Sequence, residues 1–312
     1  MTAVRQEIRP RRRIDGVLLL DKPSGLSSIA VLQRAKRLFR AEKAGHTGTL
    51  DPLASGLLPI CFGEATKFAQ ALLDADKAYL AVLHLGVTTE TGDADGEVLA
   101  THPVAVSRAE VEALLPRFVG RIAQVPPRHS ALKHHGRKYY EYARRGIEIP
   151  RVPRTVEIGS IDIVSWRPPA LELAIRCSKG TYVRTLGEDI GAAVGCGAHL
   201  AALRRTAAAG VELADALTLE ALEQVSEAKR DAFLRPVDIL VAALPRLDLR
   251  GVDAMRFGQG QALDRAELAD ATVRVYADGA FAGVGVASGG VLRARRLMSA
   301  APRLRTVEAV ES

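Results

Sequence analysis

The chain has 312 residues, 48% of them apolar and 25% charged, with a mean hydropathy of +0.06; this excludes a disordered or fibrous protein and gives length for a sizeable core without disulfide or metal staples. Its longest apolar stretches, Gly16 to Leu20 and Ile239 to Leu244, fall far short of the roughly 20 residues of a membrane span, which excludes an integral membrane protein. Forty-three Lys plus Arg against 36 Asp plus Glu, a net +7, point to a polyanionic partner, with nucleic acid first, although the bias of 34 Arg over nine Lys also follows from a GC-rich coding sequence.

Residues 1–13 carry five Arg and one Glu without apolar periodicity, which predicts a basic, disordered arm, either a solvated tail or a contact to phosphate. No secretory signal follows it, and Cys61, Cys177 and Cys196 are spaced for neither a disulfide framework nor a zinc site. Both observations point to a cytoplasmic protein. Gly16 to Leu20 reads as a buried strand ending in a Pro-Ser-Gly turn, after which Ser27 or Ser28 caps a helix to about Phe39, with Ile29, Leu32 and Leu38 as its stripe.

Lys77 to Leu85 predicts a strand, and extended chain continues through Leu99, Val104 and Val106. The acidic Gly92-Asp-Ala-Asp-Gly96 between them lacks the ligand spacing of an EF-hand and reads as a turn. Helices are expected over 108–118 and 139–145, strands over 156–164 and 171–177, and helices over 182–193, 200–205 and 219–228. Strands in runs with helices between them predict an α+β catalytic domain with a mainly antiparallel mixed sheet flanked by helices and loops. From about Pro245 no Lys occurs and short strands alternate with Gly-rich turns, which predicts a small β-rich domain over 245–312. There, Gly283-Val-Gly285 lacks the third glycine of a dinucleotide fingerprint and reads as a packed strand.

Three clusters could carry chemistry. In Gly45-His-Thr-Gly-Thr-Leu-Asp-Pro-Leu-Ala-Ser-Gly56, glycines and a proline surround a single carboxylate, Asp51, which is either presented rigidly at a cleft or engaged in a structural Asx-turn. Cys177-Ser-Lys-Gly-Thr-Tyr-Val-Arg-Thr185 has its Lys before the Gly, the reverse of a Walker loop, so Lys179 and Arg184 read as anion partners or as solvated charges. The stretch 124–145 interleaves Tyr139, Tyr140 and Tyr142 with Arg and Lys, the mixture of an RNA-contacting element and equally of an amphipathic helix. His134 and His135 lack metal-ligand spacing.

The wording of these clusters resembles one family, the bacterial tRNA pseudouridine-55 synthases of the TruB type. The resemblance runs through Gly16-Val-Leu-Leu-Leu-Asp-Lys-Pro-Ser-Gly25, Gly45 to Gly56, Gly63-Glu-Ala-Thr-Lys67, Asp76-Lys-Ala-Tyr79, Thr91 to Gly96, Ser130-Ala-Leu-Lys133, Tyr140-Glu-Tyr-Ala-Arg144, Cys177 to Arg184, Gly197-Ala-His-Leu200 and Leu203-Arg-Arg205. It implies conversion of a tRNA T-loop uridine to pseudouridine by an isomerase that uses no cofactor and no metal. It also implies a catalytic domain over 14–244 and a PUA-like RNA-binding domain over 245–312.

The resemblance carries Asp51 over as the essential carboxylate, with Arg184 as its partner lowering its pKa, Tyr79 stacking on the base and moving a proton, and Leu203 as the water-excluding wall. His46 would brace the gap left by the flipped base, and Lys22, Lys179, Tyr182, Lys133 and Arg144 would lie along the RNA. The stretch 124–154 would close on RNA. No protein partner is implied, and a monomer is expected.

Overall fold

The Gly16-Val-Leu-Leu-Leu run continues to Lys22 as strand β1 (Gly16–Lys22), its apolar side chains buried on both faces, as expected for a strand inside a sheet covered on both sides. The structure is a computed structural model that describes residues 10–299. Helix α1 (Ser28–Leu38) is capped by Ser27, whose hydroxyl accepts from the Ala30 N–H at 3.2 Å. Its buried side is Val31, Ala35 and Phe39, with Leu32 and Leu38 partly buried beside them, while Ile29 stands 58% exposed rather than in the expected stripe.

β2 (Ala44–His46) and β3 (Ser55–Phe62) flank the Asp51 loop. α2 (Ala69–Asp74) leads into β4 (Lys77–Leu85), and β5 (Val87–Thr89) pairs with β6 (Val98–Thr101) around the acidic turn. α3 (Arg108–Leu114), held by a Ser107–Glu110 capping box, precedes β7 (Gly120–Gln124). The aromatic–basic stretch folds as a small hairpin, β8 (Lys133–His134) with β9 (Arg137–Lys138), running into α4 (Tyr139–Ala143). β10 (Arg154–Arg167) and β11 (Ala170–Cys177) follow, then α5 (Val183–Val194) and β12 (Ala198–Ala208).

The expected helix at 200–205 is therefore a strand. Ala, Leu and Arg are good helix formers, but this segment is hydrogen-bonded between β4 and β3, so sheet pairing overrides propensity.

β13 (Val211–Glu212), β14 (Leu217–Thr218), α6 (Leu219–Gln224), α7 (Glu227–Arg230) and β15 (Leu234–Arg235) complete this part of the chain. The main sheet has eleven strands ordered β14-β1-β3-β12-β4-β11-β10-β7, with β2, β13 and β15 attached. Most pairs are antiparallel, while β1–β14 and β3–β12 are parallel, so the sheet is mixed, as the α+β expectation had it. α5 covers β4, β11 and β12 over a core that includes Leu83, Leu173, Leu186 and Ile190.

A second sheet contains β16 (Arg246–Leu249), β17 (Leu263–Asp264), β18 (Ala271–Ala277), β19 (Ala280–Ser288) and β20 (Val291–Leu297). Gly283-Val-Gly285 lies inside β19. Helix α8 (Gly251–Gly258), which the turn-rich sequence did not suggest, buries Phe257 against this sheet.

The expectation of a disordered arm fails at its end. Arg12 pairs with Asp231 and Arg13 with Glu42 at 3.1 Å, and Arg12 bridges to Ala41, because two carboxylates and a free backbone edge lie within reach. The remainder of the arm, 1–9, lies outside the described residues. No helix among the described residues is long and apolar enough to cross a membrane.

Candidate active site

Asp51 sits in a loop fixed from two sides. The Ser28 hydroxyl, buried at the start of α1, both donates to the Leu50 carbonyl at 2.9 Å and accepts from the Leu50 N–H at 2.8 Å. On the other side, the Lys22 ammonium donates to the carbonyls of Pro23, Leu26 and Pro52. Lys22 is fully buried, so it clamps the loop behind Asp51 and does not lie along the RNA-facing surface assigned to it above. Burial pushes its ammonium down to about 8, with Arg205 acting in the same direction and Asp51 opposing.

Arg184, on the first turn of α5, brings its guanidinium to 3.0 Å from Asp51 and 3.3 Å from Asp93. It also donates to the carbonyls of Thr91 at 3.1 Å and His129 at 2.8 Å. Four acceptors thus hold one buried cation, which fixes the direction of the Asp51 carboxylate. The acidic turn read only as a turn in the sequence supplies the second carboxylate, with Asp93 itself held by the Thr91 hydroxyl and the Asp95 N–H.

The pairing was expected to lower the Asp51 pKa. The net shift is upward: burial in the cleft raises it, Asp93 and Asp95 add to the rise, and Arg184 and Lys22 pull against it. Because 46% of the Asp51 side chain is still open to solvent, water screens all of these influences.

Asp51 and Arg184 meet in a cavity of about 270 Å³ also lined by Tyr79, Tyr182, Leu203 and Arg205, and by Ser130 and Ala131. A larger cleft of about 610 Å³ next to it shares only Lys77 and Ser178 with this site and does not include Asp51. Tyr79 comes from β4, and burial raises its hydroxyl above the usual range while Arg205 pulls it down. Tyr182 caps α5 and is locked by two bonds between its backbone and the Gln124 side chain, at 2.7 and 3.0 Å. Leu203 comes from β12 and leans on the core beneath α5.

The other expected residues fall outside the cavity. His46 ends β2, half-buried with its Nδ1 unpartnered; burial first, and Arg205 second, lower its pKa and keep the ring neutral at pH 7. Lys179 is exposed and pairs with Asp74 at 2.9 Å. Lys133 is exposed on the small hairpin, and Arg144, also exposed, covers the Tyr140 ring at 5.3 Å. Tyr139 is buried, so the tyrosines divide between the two readings left open for that stretch. Two residues of the site went unassigned from sequence, Asp93 and Arg205, although both lie inside quoted motifs. Among the described residues, no three His, Cys, Asp or Glu side chains converge to hold a metal ion.

Comparison with known proteins identifies the family. The N-terminal-domain model of the TruB family of pseudouridylate synthases matches residues 36–183, the tRNA pseudouridylate synthase B C-terminal-domain model 184–242, and the model for the C-terminus of pseudouridine synthase II TruB 245–298. The chain belongs to the TruB family. Its curated relatives include the tRNA pseudouridine synthase B of Azoarcus sp. (strain BH72), 55% identical over 290 residues that cover 93% of this chain and 97% of that protein. Another is the tRNA pseudouridine synthase B of Burkholderia mallei (strain NCTC 10247), 56% identical over 296 residues, covering 92% and 98%.

Among solved structures, a chain of a Cbf5-Nop10-Gar1 complex matches with a TM-score of 0.67 at 27% identity, covering 87% of this chain and 78% of that one. A chain of the archaeal box H/ACA sRNP Nop10-Cbf5 complex matches with a TM-score of 0.68 at 25% identity, covering 90% and 85%. This TruB-family chain is a pseudouridine synthase and hence an isomerase.

Proposed function

We propose that the enzyme converts uridine 55 in the T loop of tRNA to pseudouridine, as a cytoplasmic monomer and with no cofactor consumed. The observation that carries the reading is the Asp51–Arg184 pair at 3.0 Å in a cavity walled by Tyr79, Tyr182 and Leu203. A cavity of about 270 Å³ suits one base flipped out of its loop, and flipping costs a few kcal/mol of lost stacking. His46 braces the RNA where the base has left; a neutral ring enters a base stack with less desolvation than an imidazolium would.

In the flipped nucleotide the N1–C1′ bond breaks and the C5–C1′ bond forms. The C5 proton leaves and N1 acquires one, so the product is an isomer and no oxidant or group donor is required. The Asp51 carboxylate, aimed by Arg184, attacks an electrophilic carbon of this nucleotide. Tyr79 stacks on the base and takes part in removing the C5 proton. Leu203 keeps water from the detached uracil, which must bond to carbon before it is hydrolysed or lost.

Lys179, Lys133, Arg144, Tyr140 and the residue 245–312 domain, which we take as PUA-like, hold the surrounding RNA, and the stretch 124–154 closes over it. Its His129 carbonyl already reaches Arg184 at 2.8 Å, which links closure to the catalytic pair. The test is an unmodified tRNA transcript incubated with enzyme alone, then treated with carbodiimide and mapped by primer extension. A stop assigned to uridine 55, absent when that position is cytidine, is the expected result. Modification at another uridine, or none in a tightly bound tRNA, contradicts the assignment.

A further inference from the structure

Arg205 is the most deeply buried arginine of the site, 1% exposed, on β12 where its backbone faces Tyr79 of β4 on one side and Gly56 of β3 on the other. The fit leaves no slack: a Cβ on Gly56, whose φ is +99°, would lie 2.3 Å from the Arg205 carbonyl. The guanidinium donates to the Leu57 carbonyl at 2.7 Å and to the Gly48 carbonyl at 3.1 Å, and it lies within hydrogen-bonding reach of the Tyr79 hydroxyl.

Among the described residues no carboxylate pairs with it. Its neighbour Arg204 points the other way, to Asp21 at 2.6 Å. A buried cation is ordinarily paired with a carboxylate, because desolvation is costly. Here the acceptors are two carbonyls, with the Tyr79 phenol close by, and the charge is felt by Lys22, His46 and Lys77, each of which it disfavours as a cation.

An unpaired cation under a cleft favours negative charge that arises there during reaction. The Tyr79 oxygen, in the same cavity and coupled to the guanidinium, is able to take such charge. Tyr79 also feels Cys177 of β11, a thiol pushed up to about 11 by burial, and the Asp51 carboxylate; both oppose a phenolate. Of the groups acting on Tyr79, Arg205 is the one that favours it.

We infer that Arg205 is a positioning residue for Tyr79: its guanidinium makes the Tyr79 oxygen a hydrogen-bond acceptor, stabilises the phenolate that removes the C5 proton, and ties this group to the Gly48 carbonyl of the Asp51 loop. When that proton moves, the C5–H bond breaks, the O–H bond of Tyr79 forms, and the C–H electron pair returns to the ring. The inference rests on the proposed proton role of Tyr79.

The experiment measures single-turnover rate constants from pH 6 to 10, with tRNA affinity in parallel, for wild type, Arg205→Lys, Arg205→Gln, Tyr79→Phe and the Arg205→Gln/Tyr79→Phe pair. Arg205→Gln is expected to slow the chemical step at pH 7.5 about 100-fold, to change tRNA affinity less than threefold, and to move the rising limb of the pH profile to higher pH. Arg205→Lys recovers part of the rate and of the limb position. In the Tyr79→Phe background, Arg205→Gln has little further effect.

Multiplying effects in the double variant, an unmoved pH limb, or a loss confined to affinity would overturn the inference while leaving the Tyr79 reading intact. Full activity of Tyr79→Phe alone would overturn the Tyr79 reading and the inference with it. Since Arg205→Gln also removes bonds to Leu57 and Gly48, the pH limb of the more conservative Arg205→Lys is the deciding readout if the Gln variant folds poorly.

Discussion

The catalytic cleft and the C-terminal sheet carry their cations in opposite ways. In the cleft, Lys22, Arg184 and Arg205 are buried, with their nitrogens spent on backbone carbonyls and on Asp51 and Asp93. On the C-terminal sheet, Arg293, Arg295 and Arg296 of β20 are exposed, and Arg246 lies over the Tyr276 ring while paired with Asp248 at 2.7 Å. Buried charges must be held in place, and removing one partner strands the other at a cost of several kcal/mol. Exposed charges are screened by salt and contribute little individually, yet together they attract a polyanion. In the function proposed above, the first region aims the reaction and the second gathers substrate.

The largest stability effect follows from stranding Arg184. Asp93→Asn removes one of its two carboxylates, and is expected to destabilise the protein by about 2–4 kcal/mol and to slow the chemical step on the order of 100-fold with tRNA affinity nearly unchanged. Urea denaturation and single-turnover kinetics check the two parts. Equal stability of the variant and wild type would show that the second carboxylate is dispensable.

That residue also marks where the sequence stopped being informative. The Asp51 loop and Arg184 were legible because their neighbours along the chain are distinctive in wording. Asp93 looked like a turn residue because its partner lies 91 positions away on helix α5. Arg205 went unassigned for the same reason: its acceptors are on two other strands and a loop. The strand at 198–208 was misread because helix-forming composition is local while sheet pairing is not. Lys22 was placed near the site, but no pattern in Asp21-Lys22-Pro23 tells whether the ammonium faces RNA or three carbonyls.

A second effect lies in the pH dependence of stability. The Lys22 pKa falls from the ordinary lysine value to about 8 in the folded state. Between that value and the unfolded value of about 10.4, the unfolded chain binds more protons, so raising pH through this window stabilises the fold. Wild type should therefore gain urea resistance relative to Lys22→Met as pH rises from 8 to 10. A constant difference between the two across that range would show that Lys22 titrates as an exposed lysine does.

The smallest effect belongs to the C-terminal sheet. Arg295→Ala combined with Arg296→Ala should weaken tRNA binding less than tenfold, make log K against log salt shallower by about 1–2, and leave the chemical step unchanged. Binding titrations at several salt concentrations test this. A slowed chemical step at saturating tRNA would mean that the two regions are not separated as described.

The central claim is that one carboxylate, Asp51, aimed by a buried guanidinium, isomerises a flipped uridine. Its most direct test is release of tritium from C5 of uridine in a labelled tRNA T-arm, with wild type and Asp51→Asn side by side and no added cofactor. Release by wild type, and none by Asp51→Asn although it binds the same RNA, is the predicted result; release by both at similar rates would contradict it.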